Sequence, residues 1–244
     1  MTVNNFTVIE SVYGRFVVNR YCAFQAEALI KTGRPHIEPE LQQILRLIGT
    51  LPPNCVVVDA GANIGLVSIP VAQAIRGKGG IVHAFEVQRM MFYALCGAAA
   101  LNDLENLHVH HRGLGAAGAV LKVPRVDYGA AQDFGMVSLS EQEKISAYET
   151  VQISAIDELS LPRLDFLKID VEGMEIDVLS GARKTIAAHL PWCWIENWKV
   201  GADPIKQQFA GLPYKFFQID KLNMFCAPVE KLATAKVDVK APEL

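Results

Sequence analysis

The sequence is poor in the features that several functional classes depend on. Basic clusters are missing: 23 Lys and Arg stand against 26 Asp and Glu, and no basic run exceeds two residues. Nucleic-acid binding needs clustered cations, so no nucleic-acid partner is expected. No apolar stretch approaches the roughly 20 residues that span a bilayer, so no membrane partner is expected. No charged segment followed by an apolar one opens the chain as a signal peptide would, and the expected location is cytoplasmic. Cysteine is sparse and unpatterned: Cys22, Cys55, Cys96, Cys193 and Cys226 form no CxxC pair. They read as buried reduced thiols rather than a redox or metal set. Repeats, low-complexity tracts and long linkers are absent too.

What the sequence does hold is an alternation of buried strands and helices. Residues 1–50 form a lead-in, with "FTVIES" and "RFVVN" as a short hairpin and "CAFQAEALIK" and "EPELQQILRLIGTL" as helices, the second with Gly49 at its end. Residues 51–230 form the main domain. "CVVVDA", "IVHAFE", "LHVHH", "LDFLKID" and "PWCWIEN" read as strands, separated by helical segments that include "NIGLVSIPVAQAI" and "MMFYALCGAAALN". The second of these carries Met91, Phe92, Leu95, Cys96 and Ala99 on one expected face. Pro70 lies too deep in the first for an ordinary helix start and predicts a kink or a late start. "GMEIDVLSGARKTIAA" reads as one helix, with Glu175 and Asp177 on its solvated side. Between residues 113 and 157 the alternation breaks into "GAVLKVPRVD", "FGMVSL" and "ETVQISAIDEL", a β insertion. "YKFFQID" and "NMFCAP" predict a closing antiparallel pair, and residues 231–244 a loose polar tail. The fold class is α/β: a mainly parallel sheet with helices on both faces.

Asp59, Glu86, Asp170 and Glu196 all fall at predicted strand ends, the edge where open α/β sheets bind ligands. After Asp59 the chain reads "AGANIG". Gly61 and Gly65 permit a tight turn and let a ligand approach backbone. A dinucleotide fingerprint, G-x-G-x-x-G, is broken here by Asn63. Asp59 would repel a pyrophosphate and better suits a cationic ligand. Glu86, at the end of the next strand, can accept both hydroxyls of a ribose. Acid, glycine turn and second acid together describe S-adenosylmethionine.

The stretches "VVVDAGANIGLVSIPVA", "GGIVHAFEVQ", "LCGAAALN", "DFGMVSL", "LKIDVEGMEIDVLSGA" and "WIEN" resemble the FkbM family of S-adenosylmethionine-dependent methyltransferases over about residues 54–198. The resemblance implies a class I, Rossmann-like methyltransferase fold with a seven-stranded, mainly parallel sheet. It implies methyl transfer to a hydroxyl, amide or amine of a small molecule, sugar or natural product. Carried over by position, Asp59, Gly61, Asn63 and Gly65 form the cofactor loop, Glu86 the ribose acid, and Asp170 and Glu172 the acids beside the transferred methyl. The family's proline after the second-strand acid is replaced by Val87, and its helical asparagine by Ala98.

Asp170 is the first candidate for orienting or deprotonating the acceptor, and Glu172 the second. Glu196 and Asn197 are candidates for substrate contact. With Asp170 they also form an acid, acid, amide set of the kind that holds magnesium, although no metal is expected. His108, His110 and His111 are expected at a strand end without converging. Trp192 and Trp194 are expected in the core, and Trp198 at the acceptor. Two other functions remain open: a nicotinamide-dependent oxidoreductase, or a non-catalytic module that binds the cofactor.

Overall fold

A computed structural model describes residues 4–130, 147–235 and 241–244. The chain opens with an antiparallel hairpin, β1 (Phe6–Ser11) and β2 (Gly14–Asn19). Two helices follow, α1 (Ala23–Thr32), which ends on left-handed Gly33, and α2 (Glu38–Gly49). Next come β3 (Val56–Ala60), α3 (Ser68–Arg76), β4 (Ile81–Glu86), α4 (Arg89–Leu101) and β5 (Leu107–His111). The insertion contributes β6 (Gly113–Leu114), β7 (Ala119–Pro124) and β8 (Tyr148–Ser154), which pair as a separate small sheet. The expected strand "FGMVSL" lies outside the described residues. The chain continues through β9 (Phe166–Ile169), α5 (Glu175–Ser180), α6 (Arg183–His189), β10 (Trp192–Glu196) and α7 (Ala202–Gln208). It closes with β11 (Tyr214–Gln218), β12 (Asn223–Pro228) and α8 (Val229–Ala235). Among the described residues no helix is long and apolar enough to cross a membrane.

The main sheet is mixed and has seven strands in the order β11-β12-β10-β9-β3-β4-β5. Neighbours from β10 to β5 pair in parallel, whereas β12 runs antiparallel to both β10 and β11. Strand residues alternate between two cores. Val57, Val82, Ala84, Phe166, Trp192 and Trp194 pack with β2, α2, α3 and α4. Val58, Phe85, Leu167, Ile169, Cys193 and Ile195 pack with α5, α6 and α7 on the opposite face. Trp192 and Trp194 are buried, as expected.

Four local expectations need correction or completion. Helix α3 starts late, at Ser68, so Pro70 sits in the first turn, where its missing N–H leaves no hydrogen bond unmade. The buried stripe of α4 is Met91, Ala94, Leu95, Ala98 and Ala99, with Phe92 and Cys96 only half-buried. The tail is not simply loose: α8 forms, and Glu243 bridges to Phe217 on β11.

The fourth correction is the single helix expected from Gly173, which is split into α5 and α6. The Gly181 carbonyl accepts the Asp157 N–H at 2.8 Å, and the Asp157 carboxylate accepts the Lys184 and Thr185 N–H groups at 3.1 and 2.8 Å. A residue some 25 positions upstream thus caps α6 and interrupts the helix, a partner that local periodicity does not contain. A β-carbon on Gly181 would overlap the carbonyl oxygen of Gly115. Gly181→Ala should therefore destabilise the fold by about 1–3 kcal/mol, read as a lower urea midpoint at unchanged slope. An unchanged midpoint would show that the insertion yields to the methyl group.

Candidate functional site

The polar residues of the site follow from strand parity. Asp59, Glu86, Lys168 and Glu196 lie in register with residues that face the hairpin and α2–α4, and Asp170 follows directly after β9. Above this end of the sheet is a cavity of about 570 Å³. Its floor is the turn Gly61–Asn63 together with Glu86, Asp170 and Glu172. Gln25, His36, Ile37 and Glu40 from the lead-in, and Glu196, Trp198 and Leu222 from the far strands, complete its walls.

The turn is built for close approach. Gly61, Asn63 and Gly65 have φ of 81°, 49° and 87°, the left-handed region that glycine and asparagine tolerate best. A β-carbon on Gly61 would collide with the Asp170 carbonyl oxygen, so turn and third acid are in contact. Gly65 does not line the cavity; it packs under the Leu95 side chain. Glu86 accepts the Asn63 N–H and the Gln88 N–H, both at 2.7 Å, one on each carboxylate oxygen. Burial nevertheless raises its pKa to about 7, against the pull of those two donors.

Asp59 does not occupy the expected position. It is 1% exposed, lies beneath the cavity, and accepts the Ser68 hydroxyl at 2.5 Å. Its other oxygen faces the Lys168 ammonium at 3.5 Å. Lys168 also donates to Asp170 Oδ2 at 3.2 Å. Burial works against the ammonium, and Asp170, Asp59 and Glu40 outweigh it, holding its pKa above that of an ordinary lysine. Asp59 thus anchors the site from below.

Asp170 and Glu172 line the cavity as expected. Glu172 has φ of 59°, a strained value for a non-glycine residue, and its carboxylate is paired with Lys199 at 2.5 Å. The residue that ties this loop is Glu175, which is 1% exposed rather than solvated. Its Oε1 accepts the Val171 and Gly173 N–H groups at 3.3 and 3.0 Å. Asn197 is turned away from the cavity and exchanges two hydrogen bonds with Gln218, at 3.0 and 3.1 Å. The acid, acid, amide set therefore does not form. Instead, Asp170, Glu172 and Glu196 each place one oxygen within 4.8 Å of the others. The histidines sit elsewhere: His110 Nε2 lies 3.2 Å from His83 Nδ1, and His111 Nε2 lies 3.2 Å from the Val87 carbonyl.

Sequence reading missed Glu40, Lys168 and Glu175. Lys168 had a signal, a lone cation inside the apolar strand "LDFLKID". Glu40 had none, since acids are ordinary on the polar face of a helix. In the structure Glu40 accepts the Trp194 indole N–H at 3.0 Å.

A class I methyltransferase domain is defined by this sheet order and by a ligand cavity at the carboxyl ends of its central strands. The chain belongs to the FkbM methyltransferase family, whose domain it matches over residues 59–221. Solved structures agree on the fold. The FkbM methyltransferase from Methylobacillus flagellatus KT is 19% identical at a TM-score of 0.52, covering 86% of this chain and 55% of that one. Trm5b from Pyrococcus abyssi is 13% identical at a TM-score of 0.50, covering 92% and 56% respectively. The chain thus spans about half the length of either protein. No curated protein matches the sequence.

Burial, with the charges of Asp170 and Glu172, pushes Glu196 up to about 8, and burial lifts Glu40 to about 7. Between pH values of about 4.5 and 8 the folded chain therefore holds protons that the unfolded chain has released, and stability falls as pH rises. The melting temperature of the cofactor-free protein should drop between pH 5 and pH 8. Glu196→Gln should flatten that slope and raise the pH 8 melting temperature by on the order of 5 °C. An equally steep slope in the variant would locate the titration elsewhere.

Proposed function

We propose that the chain binds S-adenosyl-L-methionine in this cavity and transfers its methyl group to a hydroxyl, amine or amide of a small molecule, sugar or natural product. The observation that carries this reading is the glycine turn held against Glu86 on one side and Asp170 on the other. The residues fit the cofactor: Gly61 lets the turn press against the Asp170 carbonyl and form the cavity floor, and Glu86 keeps lone pairs on both oxygens for ribose hydroxyls. When bound, the cofactor supplies an electrophilic methyl group on a sulfonium, which the acceptor displaces in line.

The chain's own task is then alignment, exclusion of water and removal of one proton. Ile37, Leu66, Val67, Val171 and Trp198 give the cavity apolar walls. Asp170 lies at its floor with one oxygen held by Lys168, which leaves Oδ1 to orient or deprotonate the acceptor. Glu172, braced by Lys199, stands beside it. Asp59 acts through Lys168 and Ser68 by fixing the turn.

Two variants separate these roles. Glu86→Ala should lower S-adenosylhomocysteine affinity at least tenfold by calorimetry, on the basis of about 1.5–3 kcal/mol for hydrogen bonds to a charged group. Unchanged affinity would refute the ribose assignment. Asp170→Asn should bind the cofactor within a few-fold of wild type while turnover falls by about 10²-fold, the range of a lost general base. Methyl-transfer assay and titration on one preparation decide this, and full turnover by Asp170→Asn would show that another group takes the proton.

A further inference from the structure

The lead-in carries one buried polar side chain that the protein itself does not use. Gln25 on α1 is 7% exposed and lines the cavity, yet no described residue forms a hydrogen bond with its amide. The other amides at the cavity are engaged: Asn63 accepts the Ile64 N–H, Gln88 accepts the Tyr128 hydroxyl, and Asn223 donates to Asp220. Gln25 is not sealed in protein either, so the surface its amide keeps faces the cavity. A buried amide without a partner is costly, and a bound molecule that supplies the partner removes that cost.

The hydrogen bonds around α1 tell which end of the cavity Gln25 serves. Asn19, at the end of β2 and just ahead of α1, donates to the Tyr128 carbonyl at 2.9 Å. The Tyr128 hydroxyl donates to Gln88 at 3.1 Å, and the Gln88 N–H donates to Glu86 at 2.7 Å. These three bonds tie the start of α1 to Glu86. Helix α2 is latched at the opposite end, where Glu40 accepts the Trp194 indole on β10.

We infer that Gln25 reads the adenine base of the cofactor. The inference rests on the methyltransferase reading and adds a recognition residue to that site. Glu86 offers acceptors to both ribose hydroxyls, so the base is the next group at that end that needs partners. Adenine presents an exocyclic amine, which donates, beside a ring nitrogen, which accepts. A carboxamide presents a carbonyl beside an NH2 group, the complementary pair. A carboxylate or an ammonium in the same place would satisfy only one of the two. The lead-in is then part of the cofactor site as well as a wall of the cavity.

Adenosine and purine riboside, which lacks the exocyclic amine, test this as competitors of S-adenosylhomocysteine in calorimetry. On the wild-type protein adenosine should compete at least about fivefold better, the lower end of what a paired amide and base discriminate. Gln25→Met keeps the length of the side chain and removes its hydrogen bonds. In that variant the preference should shrink to within about twofold and S-adenosylhomocysteine should bind about five- to tenfold more weakly, at an unchanged melting temperature. Equal competition on the wild-type protein would overturn the inference, whatever the stability of the variant. So would a preference that survives in Gln25→Met, which would give the base to another residue. Equal competition on a protein that binds S-adenosylhomocysteine sinks this inference alone, whereas failure of the wild-type protein to bind S-adenosylhomocysteine sinks the functional reading and the inference with it.

Discussion

One buried ammonium organises this molecule. Lys168 sits in the central strand β9, opposite Asp59 in register and two residues from Asp170. An isolated ammonium in a sheet core is several kcal/mol unfavourable, and removing either partner of a buried pair leaves the other charge stranded. The strands can therefore pair in this register only if both aspartates converge on Lys168. That requirement fixes the end of β3, and Ser68 bonded to Asp59 extends it to the start of α3. The turn between them has its curvature decided before any ligand arrives. Apolar replacement of a buried ion pair is often neutral or stabilising, whereas the Lys168 pairs hold Asp59 and Asp170 in fixed positions.

The same cation explains why the lead-in matters. Glu40 on α2 lies within the field of Lys168 and is latched to β10 by the Trp194 indole. The lead-in is thereby docked on the sheet face that carries the strand-end acids, and its residues become cavity wall. Among the described residues the insertion contributes none to that wall. It acts at a distance, through Asp157 on α6 and through the Tyr128 hydroxyl, which donates to Gln88 at 3.1 Å.

The sheet, the hairpin and the strand-end acids were legible because period and punctuation are local signals. Glycines at Gly61 and Gly65 announced a turn, and apolar runs announced strands. What escaped is all non-local. The split between α5 and α6 depends on Asp157, and the burial of Glu175 depends on a loop curling back over its own helix start. Asp59 could be placed at a strand end by its sequence, but not beneath the cavity, because that depends on which neighbour it pairs with. Asn197 was read as a substrate contact since it follows a strand-end acid. Strand alternation puts it on the other side, where Gln218 takes it.

The outer edge of β11 is partly occupied by the chain's own residues 242–244. Gln218 donates its N–H to Pro242, Leu244 donates to Phe216, and Lys215 pairs with Glu243. An open edge strand is a template for another chain, and Phe216 and Phe217 make this one apolar. The short segment Pro242-Glu243-Leu244 occupies backbone groups of that edge that would otherwise be free to recruit a second molecule, and Pro242 has no N–H to offer a further strand. Residues remote from the cavity thus shield part of the sheet edge against the addition of another strand.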